Sequence, residues 1–397
     1  MVSKKMYELG SKRSVIREIF EYGNKRRQEV GAENVYDFSL GNPSVPAPKS
    51  IQNAMLHILN TEDSMAIHGY TSAQGSIECR SAIANSLNKR YGTTYHENNF
   101  YMTVGAAAAL TICFKALTVA DDEFITIAPF FPEYQCFVEA AGGKLVIVPA
   151  KEDDFQINFE ELEKAINEKT KGIIVNSPNN PSGVVYTKET ISSLASLLKQ
   201  KEKEYGHPIY LISDEPYREI VYTDGKITWI PDYYHDTIIC YSYSKSLSLP
   251  GERLGYVLVS DEVAYGKELY AAICGAGRAL GYVCAPSLFQ KVIAKCVDEL
   301  GDFQIYKENR DRLYNALIQM GFSCVKPEGA FYLFPKALEE DANKFCEKAK
   351  KYDLLLVPGG SFGCPSHVRI SYCVTKEQIE KAIPAFEKLA KEYGIGE

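Results

Sequence analysis

The sequence predicts an α/β fold in which a mostly parallel β-sheet lies between helices, and two observations support this prediction. From about residue 100, short apolar segments alternate with longer segments of helical periodicity, which is the pattern of parallel strands joined by crossover helices. Residues 172–176 are almost uniformly apolar, as expected for a strand that is covered on both faces. At 397 residues the chain is too long for one simple core, so we expect two domains.

The N-terminal segment is predicted to be helical and to lead into an extended linker. Residues 1–35 are charged and have a helical pattern up to about Arg27. A short strand then ends in the Gly/Pro turn of residues 38–43, and the prolines between residues 43 and 48 favour an extended backbone. An amphipathic helix is predicted to follow over residues 48–59.

The middle of the chain supplies the predicted sheet, and the C-terminal part is predicted to form a smaller unit. Seven strands are predicted, over residues 101–104, 123–128, 145–148, 172–176, 209–214, 237–242 and 256–260. Helices are predicted between them over residues 106–117, 159–167 and 188–205. Helices dominate residues 263–320, and an α/β segment over residues 321–393 ends in an amphipathic helix that begins at Lys376.

Composition and charge exclude several classes of function. The formal net charge is −7 and the pI is about 5.6, so no basic field is available to attract nucleic acid or an anionic lipid surface. No apolar run approaches the ~18 residues of a membrane helix, and no apolar leader follows Met1. Eleven scattered cysteines without a Cys-x-x-Cys pair predict reduced thiols and a cytoplasmic protein. The six histidines are isolated and give no metal-binding spacing.

The segment around Lys245 is the most informative stretch of the chain. Ser242 and Ser244 precede this lysine, and Arg253 follows it by eight residues. A lysine amine can form a Schiff base with a carbonyl partner, and hydroxyls with a guanidinium on one loop can hold a phosphate. Together these residues predict a lysine that carries pyridoxal phosphate. Taken alone, the Ser-x-Ser-Lys pattern is also compatible with an exposed polar loop.

Polar residues follow three of the predicted strands at the point where each strand ends. Asn180 comes after the strand over residues 172–176, Asp214 ends the next strand, and Lys245 follows the one after that. Because the carboxyl ends of parallel strands form one edge of a sheet, we expect these side chains to meet there. Asp214 could cap a turn, but beside a pyridoxal lysine it can keep the pyridinium nitrogen protonated. Asn180, joined by Tyr217, can hydrogen-bond the ring hydroxyl, although Asn-Pro is also a common turn.

Three further positions fit the same interpretation, and each also has a structural alternative. Phe131, at a strand end, is placed to stack on an aromatic ring but could be ordinary core. Gly105 precedes a helix directly after a strand, where free backbone N–H groups favour a phosphate. Arg369, on a predicted strand, can clamp a substrate carboxylate with two hydrogen bonds or lie on the surface.

These residues, in this order and spacing, resemble the class I and II pyridoxal-phosphate aminotransferases of fold type I, the aspartate aminotransferase superfamily. The resemblance covers nearly the whole chain, with motifs at residues 41–43, 180–183, 214–217, 242–245, 253 and 369. It implies a homodimer and a fold type I architecture, in which a large domain with the seven-stranded sheet is joined to a smaller α/β domain. The expected divisions are an N-terminal arm with part of the small domain over residues 1–48, the large cofactor-binding domain over 49–289 and the C-terminal small domain over 290–397.

The resemblance also implies the role of each candidate site residue. Lys245 forms the internal aldimine and acts as the proton-transfer base, while Asp214 pairs with the pyridinium nitrogen. The other implied cofactor contacts are ring-oxygen binding by Asn180 and Tyr217, stacking by Phe131, and phosphate binding by Ser242, Ser244, Arg253 and the amides of Ala106 and Ala107. Many members carry a hydroxyl residue in this phosphate-binding turn, where the chain has alanines at 106–108, so Ser242 and Arg253 are expected to contribute more.

Substrate and partner contacts are implied in the same way. Arg369 matches the arginine that binds the substrate α-carboxylate, together with Asn180 and the backbone of Gly41. Tyr70 resembles the tyrosine that reaches the phosphate of the neighbouring subunit. Arg278 is a weak candidate for a second cation facing a dicarboxylate substrate, and a surface arginine is the alternative.

The implied reaction moves an amino group from an L-amino acid to a 2-oxo acid, with aspartate, glutamate or aromatic amino acids as expected substrates. A β-lyase that cleaves carbon–sulfur bonds of cystathionine-like substrates uses the same lysine, aspartate and arginine, so this alternative stays open. A pyridoxal-phosphate-binding regulator would need a DNA-binding region ahead of the aminotransferase pattern, which begins by about residue 36. The glycines at 275, 277 and 281 resemble a dinucleotide fingerprint, but the last spacing is one residue too long.

Overall fold

The computed structural model describes residues 2–11, 15–223 and 227–395. Within these ranges the helices are α1 (Lys4–Ser11), α2 (Val15–Val30), α3 (Lys49–Thr61), α4 (Ser64–His68), α5 (Ile77–Tyr91), α6 (Ala106–Leu117), α7 (Glu133–Ala141), α8 (Phe159–Ala165), α9 (Lys188–Tyr205), α10 (Tyr243–Ser246), α11 (Gly266–Leu280), α12 (Ser287–Cys296), α13 (Gln304–Gln319), α14 (Ala342–Ala349) and α15 (Lys376–Glu392). The strands are β1 (Tyr36–Asp37), β2 (Phe100–Thr103), β3 (Glu123–Ala128), β4 (Lys144–Pro149), β5 (Thr170–Asn176), β6 (Tyr210–Asp214), β7 (Thr237–Ser242), β8 (Gly255–Val259), β9 (Tyr332–Leu333), β10 (Leu354–Leu355), β11 (Val357–Pro358) and β12 (Val368–Ser371).

A seven-stranded sheet forms the centre of the molecule, with the strand order β2-β8-β7-β6-β5-β3-β4. The pairs from β7 through β6, β5 and β3 to β4 are all parallel. Only β8 runs against its two neighbours, β2 and β7. The predicted mostly parallel, seven-stranded sheet is therefore confirmed.

Both faces of this sheet are covered by helices. Successive side chains of each strand point to opposite sides, so each central strand packs against helices on both faces. On one side, Ile174 and Ile212 pack in a cluster that includes Phe114 of α6. On the other side, Ile173 packs in a separate cluster with Leu194 of α9. Burial of both faces explains why the central strands are apolar at nearly every position.

Two small sheets are built mainly from the C-terminal part of the chain. Strand β12 pairs antiparallel with β11 and with β9, and β1 pairs parallel with β10. A large apolar core that includes Leu313 of α13 and Phe386 of α15 supports the three-stranded sheet. This sheet carries Arg369 and Tyr332 towards the edge of the central sheet.

The structure differs from the sequence prediction at several ends. The first strand ends at Asp37 rather than near residue 40, because the hydroxyl and the backbone N–H of Ser39 both bind the Asp37 carboxylate and turn the chain. The helix predicted over 159–167 ends at Ala165. The predicted N-terminal helix includes residues 1 and 12–14, which lie outside the described residues.

Helix α5 was not predicted, although its end signals are present in the sequence. The hydroxyl of Ser76 accepts a hydrogen bond from the backbone of Cys79 at the start, and Gly92 ends the helix in a left-handed conformation. Both are ordinary helix-capping features. Among the described residues, no helix combines the length and the apolar character that a membrane crossing requires.

Candidate active site

A cavity of about 310 Å³ lies where three neighbouring strands of the central sheet end. Strands β5, β6 and β7 are adjacent and parallel, with Asn176 opposite Asp214 and Asp214 opposite Cys240. The cavity is lined by Ile16, Leu40, Gly41, Ala106, Ala107, Leu110, Phe131, Asn176, Asn180, Asp214, Pro216, Tyr217, Ser242, Ser244, Lys245, Pro250, Arg253, Tyr332 and Arg369. Most of the predicted site residues therefore meet in one place.

Lys245 reaches this cavity from the short helix α10, which directly follows β7. Its Nζ donates a hydrogen bond of 2.7 Å to the carbonyl oxygen of Gly41. Burial lowers the pKa of Lys245 to about 8. The charges of Arg369 and Arg253 also act to lower this pKa, whereas Cys373 acts to raise it. The amine is therefore poised to lose its proton close to neutral pH, unlike a lysine in water.

Asp214 ends β6 and is buried. The hydroxyl of Tyr134 donates a hydrogen bond of 2.6 Å to its Oδ2, whereas its Oδ1 is buried without a partner. Burial raises the pKa of Asp214 to about 7, and the Tyr134 hydrogen bond acts in the opposite direction. A buried acceptor without a partner is costly, so this oxygen is suited to a donor that a bound molecule would bring.

Arg369 lies on β12 and is buried, with only 3% of its surface exposed. Its guanidinium carbon lies 4.8 Å from the ring centre of Tyr332 and 5.0 Å from that of Phe362. Two of its nitrogens donate to Asn180 Oδ1 at 3.1 Å and to the carbonyl of Ser39 at 2.7 Å. Its Nε is buried without a partner, so the guanidinium retains donor capacity.

Asn176 ties the ends of two strands together beside these residues. Its side-chain amide donates to the carbonyl of Asp214 at 2.8 Å, and its side-chain oxygen accepts from the backbone N–H of Asn180 at 2.7 Å. Tyr217, which follows β6, has its hydroxyl oxygen 2.9 Å from that of Tyr332. These contacts fix the directions of the polar groups that face the cavity.

The other end of the cavity has the features of an anion site. Helix α6 begins there at Ala106, after Gly105, which has a φ of 94° and provides no side-chain cap. The hydroxyl oxygens of Ser242 and Ser244 are 2.7 Å apart, and the guanidinium of Arg253 donates to two backbone carbonyls nearby. Free N–H groups at a helix start, hydroxyls and a guanidinium together suit a phosphate.

Of three further predicted residues, one lines the cavity and two lie on the surface of the chain. Phe131 lines the cavity and packs edge-on against Tyr134, with ring centres 5.6 Å apart. Tyr70 is 98% exposed and does not line the cavity of its own chain. Arg278 is exposed in the last turn of α11.

Comparison with known proteins decides the family. The sequence profile of the family described as Aminotransferase class I and II matches residues 33–386. The chain belongs to this family. An amino transferase from Eubacterium rectale, known from its crystal structure, is 61% identical over 99% of both chains, with a TM-score of 0.97. The aspartate aminotransferase of Thermotoga maritima is 32% identical over 89% of this chain and 91% of the relative. The aromatic-amino-acid aminotransferase 2 of Thermococcus litoralis is 29% identical over 96% of both chains.

The protein is therefore a pyridoxal-phosphate-dependent aminotransferase, which catalyses transamination. The predicted family, fold class, enzyme class and cofactor are confirmed. The residues present fit the cofactor, because the aminotransferase cavity offers an unpartnered carboxylate oxygen on Asp214 and an uncapped helix start at Ala106. A side chain at Gly105 would come within 2.6 Å of Arg253 Nη2, so glycine keeps this end of the cavity open.

Several residues of the aminotransferase cavity were not predicted from the sequence. Asn176 ends the predicted strand over 172–176, and this position at the sheet edge was a usable signal. Tyr134, which lies outside the cavity lining and binds Asp214, was not predicted either; it lies three residues after Phe131, in the first turn of α7. Tyr332 and Ile16 come from distant segments and gave no local signal, whereas Leu40 directly precedes the predicted Gly41.

The glycine pattern at 275–281 has a structural explanation. Residues 275–280 lie within α11, and Gly281 ends this helix in a left-handed conformation. Gly277 faces the hydroxyl of Tyr101 so closely that a side chain there would overlap it. Glycine at 277 thus serves helix packing. Among the described residues, no group of three or more His, Cys, Asp or Glu side chains is arranged to hold a metal ion.

Proposed function

We propose that Lys245 binds pyridoxal phosphate covalently in this aminotransferase and that its Nζ moves the proton at the substrate α-carbon. The supporting observation is that Lys245, a half-buried lysine, lines the same cavity as Asp214, whose Oδ1 has no partner. Bound there, the cofactor supplies an electron sink for negative charge at the α-carbon. The protein's part is to bind, orient and exchange protons.

The cofactor-binding roles follow from the chemistry of each group. Asp214 Oδ1 would accept from the protonated pyridinium nitrogen, a contact that also lowers the cost of its burial. Asn180 and Tyr217, which line the cavity, would bind the ring oxygen, and Phe131 would stack on the ring. The phosphate would be held by Ser242, Ser244, Arg253 and the backbone N–H groups of Ala106 and Ala107.

Arg369 is the proposed clamp for the substrate α-carboxylate. It is buried and packs over two aromatic rings, those of Tyr332 and Phe362, so its fork of donors is ordered before substrate arrives. Asn180, which accepts from one end of this guanidinium, and the backbone of Gly41 complete the proposed carboxylate site. Fixing the carboxylate also fixes the direction of the bond to be broken, which is the main gain from positioning.

The proton-transfer role of Lys245 agrees with its environment. An effective acid–base group has a pKa near the working pH, and burial lowers the pKa of Lys245 to about 8. The carbonyl of Gly41, 2.7 Å from Nζ, accepts its hydrogen bond and holds the free amine inside the cavity. The same amine can therefore take the α-proton and return it without entering bulk water.

Aspartate, glutamate or an aromatic amino acid is the proposed donor. Relatives from Thermotoga maritima and Thermococcus litoralis carry names for aspartate and for aromatic amino acids respectively. A dicarboxylate needs a second cation beside its side chain, and Arg278 of a partner subunit is the candidate.

We assign the enzyme to amino acid metabolism in a biosynthetic role. We assign it to the cytoplasm because the cysteines of the described chain are all unpaired.

A homodimer is proposed on the basis of an apolar face. Met65 (84% exposed), Tyr70, Ile77, Tyr282 and Val283 are exposed. The two segments that carry them are joined by hydrogen bonds, including one from the backbone of Cys284 to Ala73. Large exposed apolar patches commonly mark protein interfaces. Tyr70 would then reach the phosphate bound by the partner.

We also propose the domain division at residues 48 and 289. The separate small sheets, formed by β1 and by the strands after residue 331, support a distinct small domain. Residue 289 itself lies inside α12 (Ser287–Cys296), which packs with α3 and α5.

The test incubates the purified enzyme with a panel of amino acids, with and without a 2-oxo acid. Transamination requires the 2-oxo acid as acceptor and yields the 2-oxo acid of the donor. Turnover with aspartate, glutamate or an aromatic donor that stops without an acceptor would support the proposal. Pyruvate and ammonia released from a sulfur amino acid without any acceptor would instead identify a β-lyase. The Lys245→Ala variant is the control, since it removes the proposed amine.

A further inference from the structure

Tyr332 connects the group proposed to bind the cofactor ring with the group proposed to bind the substrate. It begins β9, is 2% exposed and lines the cavity. Its hydroxyl oxygen lies 2.9 Å from that of Tyr217. The guanidinium carbon of Arg369 lies over its ring, 4.8 Å from the ring centre. One side chain thus contacts both parts of the proposed site.

The hydrogen bond between the two tyrosines can be arranged in two ways, because each phenol has a single hydrogen. If Tyr217 donates to Tyr332, it has no hydrogen left for the ring oxygen of a cofactor. If Tyr332 donates, the hydrogen of Tyr217 is free to point into the cavity. Only the second arrangement lets Tyr217 act as a donor to the ring oxygen.

We propose that Tyr332 is a positioning residue, which donates its hydroxyl hydrogen to Tyr217 and thereby aims the Tyr217 hydroxyl at the ring oxygen of the cofactor. The inference rests on the proposed function, which assigns Tyr217 to that oxygen. Donation to the oxygen of Tyr217 also polarises its O–H bond and makes it a stronger donor. The role is indirect, since Tyr332 acts through Tyr217.

The position of the Tyr332 hydroxyl is fixed by the neighbouring backbone. A side chain at Gly41 would overlap this hydroxyl, so the tyrosine packs directly on the residue whose carbonyl accepts from Lys245. On the ring face, the guanidinium of Arg369 restricts movement further. A hydroxyl held in this way loses little further freedom when it orients Tyr217.

The Tyr332→Phe variant separates the two contacts of this side chain. It keeps the ring over Arg369 and removes only the hydroxyl, so KM for the amino acid should change little. A donor to the ring oxygen favours the more negatively charged form of the bound cofactor. Weakening that donor should therefore raise, by about half a pH unit, the midpoint of the pH-dependent change in visible absorbance.

The experiment measures this midpoint in the cofactor-loaded wild type and in Tyr332→Phe, Tyr217→Phe and the double variant. The control is Tyr372→Phe, which removes another buried hydroxyl, one that donates to the carbonyl of Ala330. We expect a rise in Tyr332→Phe, no rise in Tyr372→Phe, and no added effect of Tyr332→Phe when Tyr217 is already phenylalanine.

The inference is overturned if the midpoint of Tyr332→Phe equals that of the wild type. It is also overturned if Tyr372→Phe shifts the midpoint as much, or if the effects at 332 and 217 simply add. Failure of the proposed function looks different, because the wild type itself would then show no visible band after loading with pyridoxal phosphate. The wild-type spectrum therefore separates the two failures before any variant is compared.

Discussion

The Nζ of Lys245 lies 2.7 Å from the carbonyl oxygen of Gly41, a residue 204 positions earlier in the chain. The contact joins the end of the central sheet to the loop that follows β1, and it places the amine inside the cavity. Burial in this position lowers the pKa of the lysine. Proton release by this amine near neutral pH is thus a consequence of where the two segments meet.

Capture of the cofactor by the apoenzyme should depend on pH through Lys245. Only the neutral amine attacks a carbonyl, and burial lowers the pKa of this amine to about 8. The rate of recombination with pyridoxal phosphate should therefore rise about tenfold per pH unit below that value and level off above it. Stopped-flow absorbance across pH 7 to about 10 measures this. A rate that keeps rising towards the pKa of a solvent-exposed lysine would contradict the prediction.

Asp214 should make the apoenzyme less stable as the pH rises. Its folded-state pKa is raised from 3.8 to about 7, so the folded state holds a proton that the unfolded chain has already released. The associated stability is fully present below about pH 4 and is lost as the pH rises through about 7. The Asp214→Asn side chain does not titrate. The free energy of unfolding of this variant, relative to that of the wild type, should therefore be higher at pH 8 than at pH 5. Urea unfolding of both apoproteins measures the difference, and equal differences at the two pH values would refute it.

Arg369→Ala should raise KM for every amino acid substrate and affect kcat less. Truncating one partner of a buried charge pair typically costs about 2–5 kcal/mol, which corresponds to a rise of roughly thirtyfold or more in KM. Steady-state kinetics with several donors measure the change. Arg312→Ala is the matched control, since this exposed arginine pairs with Glu380 on the surface and such pairs contribute little. An unchanged KM in Arg369→Ala would remove this residue from the carboxylate site.

Gly105→Ala should weaken cofactor binding about tenfold. With φ at 94° and ψ at 176°, Gly105 has a backbone conformation that essentially only glycine adopts, and an alanine there costs roughly 1–3 kcal/mol. The added carbon would also come within 2.6 Å of Arg253 Nη2. The dissociation constant of pyridoxal phosphate, measured by fluorescence titration of the apoprotein, should rise. Gly275→Ala serves as the control, because open space surrounds that position. Equal affinity of Gly105→Ala and Gly275→Ala would show that the helix start tolerates a side chain.

Most of the fold and the centre of the site could be predicted from the sequence, because the order of the parallel strands determines which residues meet. Asp214 and Lys245 follow neighbouring strands, and parallel strands end at one edge, so their meeting could be predicted from order alone. Tyr332 could not be predicted in this way, because its contact with Tyr217 spans 115 residues and depends on how the small sheet packs. Neither could the surroundings of Tyr70, whose proposed contact lies on a second chain.

Borohydride reduction of the cofactor-loaded enzyme, followed by peptide mapping, tests the central claim most directly. Reduction fixes the cofactor to whichever amine holds it, and mass spectrometry then identifies that residue. We predict a single modified lysine, Lys245, and no modified lysine and no visible absorbance band in the Lys245→Ala variant. Cofactor fixed to another lysine, or a Lys245→Ala protein that still transaminates, would contradict the account.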